Sequence, residues 1–271
     1  VGQGESIVLR DGPTTALLDG GGWRRGDIGS RILLPVLANL GVRRLDALVL
    51  SHPDQDHCRG LVQIASLIPA REVWSSPGWN PMGCVARLHG LPGVGIRSLW
   101  AGTSLAVGRW SLQVLNPRPG VRRGVNDRSL VVLASFGGRR VLLTGDIEAA
   151  AERELLKRYP DVLADVDILK VAHHGSRTSS TPAWLDHTRP SLALLSAGLE
   201  NRYGHPAPEV VLQLEERGIR TLRTDEHGLV RIAIDRAGHL RIRLPGSPRP
   251  RDWGVVMESG GKAAEGIGAT R

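Results

Sequence analysis

Aromatic residues, lysine and cysteine are all scarce in this sequence, and each shortage excludes something. Aromatics make up 4% of the 271 residues, so no platform of stacked rings for a nucleic-acid strand is evident from composition. Two cysteines, Cys58 and Cys84, stand in unrelated contexts. A pair this sparse is neither a disulfide framework nor a CxxC metal site; Cys58 reads as a small packing residue, and the redox compartment stays open. No apolar run reaches the roughly 18–20 residues needed to span a bilayer. Nor does a basic segment with an apolar stretch and a cleavage site open the chain. All but three of the 35 basic residues are arginine, and the net charge is +8. That excess attracts polyanions through counterion release, but a genomic or thermal bias toward arginine produces it equally well.

What is present supports one substantial globular core, with 41% hydrophobic residues and charges spread along the chain. Ile7 to Arg10 and Thr15 to Leu18 read as a hairpin turning at Asp11-Gly12-Pro13. Ile32, Leu33, Val36, Leu37 and Leu40 recur at helical spacing before Gly41, and Leu45 to Leu50 is a short apolar run of the buried-strand kind. The stretch from Val73 to Gln113 predicts several short strands, with most of Trp74, Trp79, Trp100 and Trp110 as packing residues. A second hairpin turns at Gly137-Gly138, and helices and strands then alternate to a last strand near Leu240. This order predicts an α/β fold of two sheets packed face to face with helices outside. A single domain is expected over 1–245, and the Gly, Pro and charge beyond it predict a flexible tail over 246–271. The abrupt start at Val1-Gly2-Gln3-Gly4 reads as an excision from something longer.

Three polar clusters follow strands, where loops are free to carry chemistry. The first is His52, Asp54, Asp56 and His57 in Ser51-His52-Pro53-Asp54-Gln55-Asp56-His57. Side chains two apart in an extended segment point the same way, and a turn after Asp54 can carry Asp56 and His57 round a second centre. Imidazole and carboxylate are the usual ligands of divalent cations, so this cluster predicts a metal site. Asp146, in Leu142-Leu143-Thr144-Gly145-Asp146, is either a helix cap or a bridging carboxylate. In His173-His174-Gly175-Ser176, either histidine can be the metal ligand.

With these residues in order along the chain, the sequence resembles the metallo-β-lactamase superfamily. Asp19, His52, Asp54, Asp56, His57, Asp146 and His174 match the family's motifs. The resemblance implies an αββα sandwich, two divalent cations and hydrolytic chemistry, with Asp19 ordering the site by hydrogen bonds. Two departures stand out. Asp54 replaces a histidine of the motif, and the histidine before the Gly145-Asp146 strand is missing, with Asn126, Asp127, Ser129 or water left to serve. Both changes enrich the site in oxygen, which favours Mn²⁺ or Mg²⁺ relative to Zn²⁺.

The departures, with Val1 to Ser6, Asn126 to Leu130 and Asn201 to Pro206, give a narrower resemblance to the C-terminal domain of ComEC-type competence proteins. That resemblance implies a DNA phosphodiesterase that degrades the strand not imported, attached to a membrane channel and facing the extracytoplasmic side. It also implies DNA, single-stranded above all, as partner. Asp56 and His205 then carry catalysis, His205 holding a phosphate oxygen or protonating the leaving group, while Ser176, Asn201 and Tyr203 contact substrate. Relatives of this fold also act on lactones, thioesters, β-lactams and phosphorylcholine esters. A DNA-binding or bracing domain without catalysis is the third reading.

Overall fold

The computed structural model describes residues 3–22, 26–80, 82–121, 123–199, 201–244 and 254–259. Its first two strands, β1 (Ile7–Asp11) and β2 (Thr14–Leu18), are the expected hairpin, closed at Gly12 with φ 58°, a left-handed turn position that glycine fills without steric cost. A π-helical turn over Gly29–Leu33 runs into α1 (Leu34–Asn39), which stops at Gly41. The buried strand β3 (Leu45–Leu50) then leads into α2 (Gln55–Ala65), followed by β4 (Ala70–Ser75), α3 (Gly83–His89), β5 (Gly95–Ser98), β6 (Ser104–Val107) and β7 (Trp110–Asn116). Short strands were expected in this middle region; the helix α3 among them was not.

The second half opens with a hairpin, β8 (Val131–Phe136) and β9 (Arg139–Leu143), then α4 (Ala149–Arg158) and α5 (Pro160–Leu163). It continues through β10 (Ile168–Lys170), α6 (Pro182–Thr188), β11 (Leu192–Leu195), α7 (Pro208–Glu216) and β12 (Arg220–Arg223). The short α8 (Thr224–His227), β13 (Leu229–Ile234), β14 (Leu240–Arg243) and β15 (Gly254–Ser259) complete it.

These strands form two sheets, β14-β13-β15-β1-β2-β3-β4-β5 and β12-β11-β10-β9-β8-β7-β6. The pleat decides which side chain goes where. Along Leu45-Asp46-Ala47-Leu48-Val49-Leu50, Ala47 and Val49 face the other sheet, whereas Leu48 and Leu50 join Leu37, Leu61 and Ile64 of the outer helices. The other sheet does the same, setting Leu142 and Leu169 against Leu155, Trp184 and Leu214 of its own outer helices. This is the αββα sandwich, with one core between the sheets and one under each helical layer. No helix among the described residues is long and apolar enough to cross a membrane.

Two expectations are corrected. Part of the predicted tail, Gly254–Ser259, is the strand β15, inserted parallel between β13 and β1. Val255, Val256 and Met257 are fully buried there. Flanking glycine, proline and charge hide this short apolar run in the sequence, because its partners are strand edges more than 20 residues away. The remaining positions of that expected tail, 246–253 and 260–271, lie outside the described residues. The second correction concerns Cys58 and Cys84, which form a disulfide joining α2 to α3 with a Cα–Cα separation of 6.1 Å. Their 26-residue spacing gives no sign of it; the crossover through β4 brings the two helices together.

Candidate metal centre

The site grows from the carboxyl end of β3. Asp54 adopts an extended conformation before α2 yet makes no side-chain cap hydrogen bond. An aspartate there normally accepts from the first helical turn. Here the carboxylate stands 3.8 Å from His52 Nε2, and the Asp54 backbone carbonyl accepts from the amides of His57 (3.0 Å) and Cys58 (2.9 Å) instead. Backbone hydrogen bonds grip the start of α2. Glu5 N donates to Asp56 O, Gly20 N to His57 O, and Gly60 N to Gly21 O. A Cβ at Gly60 would overlap the Gly20 carbonyl, and one at Gly4 would overlap the Asp56 carbonyl. The glycines near the start of the chain and after Asp19 therefore admit this close approach.

Three imidazoles are each fixed through Nδ1 and present Nε2 to a common space. His57 Nδ1 donates to Asp19 Oδ2 (2.7 Å), His174 Nδ1 donates to the Ser196 carbonyl (2.8 Å), and His52 Nδ1 lies 3.0 Å from Ser51 Oγ. Asp19 is itself held by Ser51, whose amide donates to Oδ1 (2.8 Å) and whose hydroxyl donates to Oδ2 (2.6 Å). Partners of this kind set ring orientation and tautomer in metal sites. Asp146, delivered by the end of β9, places Oδ2 3.2 Å from His57 Nε2, 3.3 Å from His174 Nε2 and 3.8 Å from His52 Nε2. Asp56 Oδ2 lies 3.7 Å from His174 Nε2.

Electrostatics in this pocket are dominated by carboxylates facing imidazoles out of water. Burial by itself would lower His57, but Asp146 and Asp19 outweigh it and raise its pKa well above the ordinary histidine value. Burial would likewise raise Asp146, yet His174 and His57 hold it well below the usual carboxylate range. For His52 burial, reinforced by His57, outweighs the more distant Asp146 carboxylate and pushes the pKa well down. Asp54 is raised, first by burial and then by Asp56 beside it.

The donor set fits a divalent cation. His52 Nε2 and Asp146 Oδ1 are buried without a hydrogen-bond partner, a costly state that a cation among them would relieve. Ligand atoms held at about 2.1 Å from one ion stand roughly 3–3.5 Å apart, which matches the 3.2–3.3 Å separations around Asp146. Among the described residues, three overlapping groups bring their ligand atoms within 4.8 Å of one another: His52, His57 and Asp146; Asp56, His57 and His174; and Glu5, Asp146 and His174.

Other expected site residues lie elsewhere. His173 turns its ring toward Glu148 (3.3 Å) and Thr178 (3.3 Å), outside all three groups. Asp127 Oδ1 accepts from the Glu148 amide, Asn126 Nδ2 donates to Glu148 Oε1, and Ser129 Oγ accepts from the Asp146 amide at 3.1 Å. All three positions thus brace the segment carrying Asp146. Ser176 Oγ pairs with Thr178 Oγ1, and Asn201 staples its own loop by accepting from the His205 amide (2.9 Å). Tyr203 is exposed and stacks on His205, whose ring also meets His173 at 5.8 Å. Burial, then the nearby His174 and His173, lowers the His205 pKa to about 4.

Sequence reasoning missed Glu5 and Lys170. Both are buried beside the metal groups, and Lys170 Nζ lies 2.5 Å from Glu5 Oε2. Lys170 Nζ also donates to the Val171 carbonyl at 2.9 Å, and its contact with Glu5 is a buried ion pair. Burial raises the Glu5 pKa and Lys170 opposes the shift. The available signal was a lone lysine ending the otherwise apolar strand β10.

Comparison with known proteins agrees with this geometry. Residues 1–198 match the family model described as the metallo-beta-lactamase superfamily. ComE operon protein 3 of Bacillus subtilis (strain 168) is 33% identical over 90% of this chain and 34% of its own length. Competence protein ComA of Neisseria gonorrhoeae is 32% identical over 90% of this chain and 33% of its own. The chain therefore spans about a third of the length of these relatives. Among solved structures, the metallo-beta-lactamase fold protein YhfI from Bacillus subtilis superposes with a TM-score of 0.52 at 12% identity, covering 89% of this chain and 97% of that one, a likeness of fold. By sequence and by fold, the chain belongs to the metallo-β-lactamase superfamily, a metallo-hydrolase fold, with competence proteins among its relatives.

Proposed function

We propose that this chain is a divalent-metal-dependent phosphodiesterase acting on DNA, the nuclease part of a larger DNA-uptake protein. The observation that carries the reading is the convergence of three Nε2 atoms and the Asp146 carboxylate, with His52 Nε2 and Asp146 Oδ1 buried and unpartnered. His52, Asp54 and Asp146 would hold one cation, and Asp56, His57 and His174, together with Asp146, a second. Such ions, when bound, polarise a phosphoryl oxygen and lower the pKa of water.

The chain's own residues then do the positioning. Asp19 holds His57 in the tautomer that presents Nε2, and the Ser196 carbonyl does the same for His174. Asp54 sets an oxygen where a nitrogen is usual in the family, which supports Mn²⁺, with Zn²⁺ and Mg²⁺ as the other ions to test. His205, with its pKa near 4, is neutral at pH 7. It is therefore suited to donate a hydrogen bond to a phosphate oxygen rather than to release a proton to the leaving group.

DNA as substrate is supported by competence proteins among the relatives and by the net charge of +8. The Cys58–Cys84 disulfide supports an oxidising, extracytoplasmic setting beside a membrane channel. The test incubates metal-stripped protein with labelled single- and double-stranded DNA and Mn²⁺, Mg²⁺ or Zn²⁺, beside His57→Ala. Cleavage by the parent and a loss of at least about a thousandfold in the variant are expected; no cleavage with any metal overturns the reading.

A further inference from the structure

The carboxyl ends of β3 and β9 supply metal-site residues, and the same edge of the sandwich holds a second feature. Beyond β4, β5 and β7 lies an open cavity of about 300 Å³, walled by Pro77, Gly78, Trp100, Arg118, Arg123 and Arg128 among others. Short backbone links tie the wall of this cavity to the metal centre. β4 and β5 run parallel to β3, so Gly78 and Trp100 emerge at the edge where His52 does. Arg128 immediately precedes the buried Ser129, whose Oγ accepts from the Asp146 amide, and the next amide, of Leu130, donates to the Ser51 carbonyl. One wall of the cavity and the ligands His52 and Asp146 thus belong to a single hydrogen-bonded frame.

The lining has a definite chemistry. Among the described residues, no acidic side chain lines the cavity. Arg118 and Arg123 share a single carboxylate, Glu154, which leaves the pair with surplus positive charge. Arg128 lies over the Trp79 ring at 4.2 Å and donates to the Gly78 carbonyl (3.0 Å), so its guanidinium is held in place before any ligand arrives. Trp100, in contrast to the buried Trp74, Trp79 and Trp110, is only partly buried. Three of the four tryptophans are thus the packing residues expected of most of them. Prearranged guanidiniums beside a partly exposed indole suit an unpaired base with its phosphates, because a paired base has no free face to stack. A volume of this size has room for about one nucleotide.

We propose that this cavity seats the single-stranded DNA segment flanking the scissile phosphate, its base on Trp100 and its phosphates on Arg118, Arg123 and Arg128. The inference rests on the DNA reading above for its substrate class, and it is tested without metal so that the two can fail separately.

Fluorescence anisotropy of a labelled single-stranded oligodeoxynucleotide is measured with the full chain in EDTA across a salt series. Trp100→Ala is expected to raise Kd by roughly tenfold. Arg118→Ala/Arg123→Ala is expected to raise Kd at least as much and to flatten the salt dependence by about 1.4, at ~0.7 per lost phosphate contact. Glu154→Gln frees both guanidiniums and is expected to tighten binding by about threefold or more with a steeper salt slope. Values within twofold of the parent for Trp100→Ala and the double variant, at unchanged melting temperature, overturn the proposal. So does a Glu154→Gln chain that is less stable but binds no tighter, since the arginines would then be structural. Parent protein that binds through the cavity yet cleaves nothing supports this inference while the nuclease reading falls. Parent protein that cleaves DNA but whose binding ignores all three changes refutes the cavity alone.

Discussion

Reduction of the Cys58–Cys84 disulfide is expected to destabilise the fold measurably, by an amount that follows from its position in the chain. The bridge closes a loop with a sequence separation of 26. Restricting an unfolded chain by a loop of that length corresponds to about 3.5 kcal/mol at 25 °C in the chain-entropy treatment. At roughly 2–4 °C per kcal/mol for a domain of this size, the melting temperature should fall by about 7–14 °C. The assay is thermal unfolding followed by circular dichroism, in chelator, with and without a phosphine reductant. Cys58→Ser/Cys84→Ser should melt where the reduced parent melts and should not respond to reductant. Thiol titration of the denatured, unreduced parent should find none free. Two reactive thiols in that sample, or a melting temperature that moves by less than about 2 °C on reduction, would refute the reasoning. Cys58 directly follows His57 on α2, so the same experiment reads how firmly the metal helix is tied to α3.

Three further outcomes follow from particular residues. Lys170→Met leaves the buried Glu5 carboxylate without its cation, which should cost on the order of 3–5 kcal/mol by urea unfolding; Glu5→Gln/Lys170→Met should recover much of that loss, and a single variant as stable as the parent would contradict the pairing. Asp19→Asn removes the charge that orients His57 and should weaken Mn²⁺ or Zn²⁺ binding roughly 10–100-fold in calorimetry, whereas an affinity within twofold of the parent would deny Asp19 that role. Ending the chain at residue 253 deletes β15 and with it the buried Val255, Val256 and Met257. At about 1.5–3 kcal/mol each the loss is on the order of 6 kcal/mol, comparable to a whole domain's stability, so this truncation should be insoluble or unfolded; a folded, soluble product would show that β15 is dispensable.

Much of the site was legible in the sequence because its ligands cluster locally. His52, Asp54, Asp56 and His57 occupy one strand–turn–helix junction, where an apolar strand ends and a helix begins within a few residues. The hairpins, the parallel-strand runs and the two-layered order were legible for the same reason, since period and turn chemistry are short-range properties.

What the sequence alone determined, then, is most of the candidate metal ligands and the class of fold that presents them. Tertiary structure decided which groups meet across the chain. It turned His174 inward and His173 toward Glu148, and assigned Asn126, Asp127 and Ser129 to bracing the Asp146 segment. It brought Glu5 to Lys170, closed Cys58 on Cys84, and drew β15 into the gap between β13 and β1. Each of these depends on packing between segments far apart in the chain, where burial and backbone direction, rather than residue spacing, choose the partner.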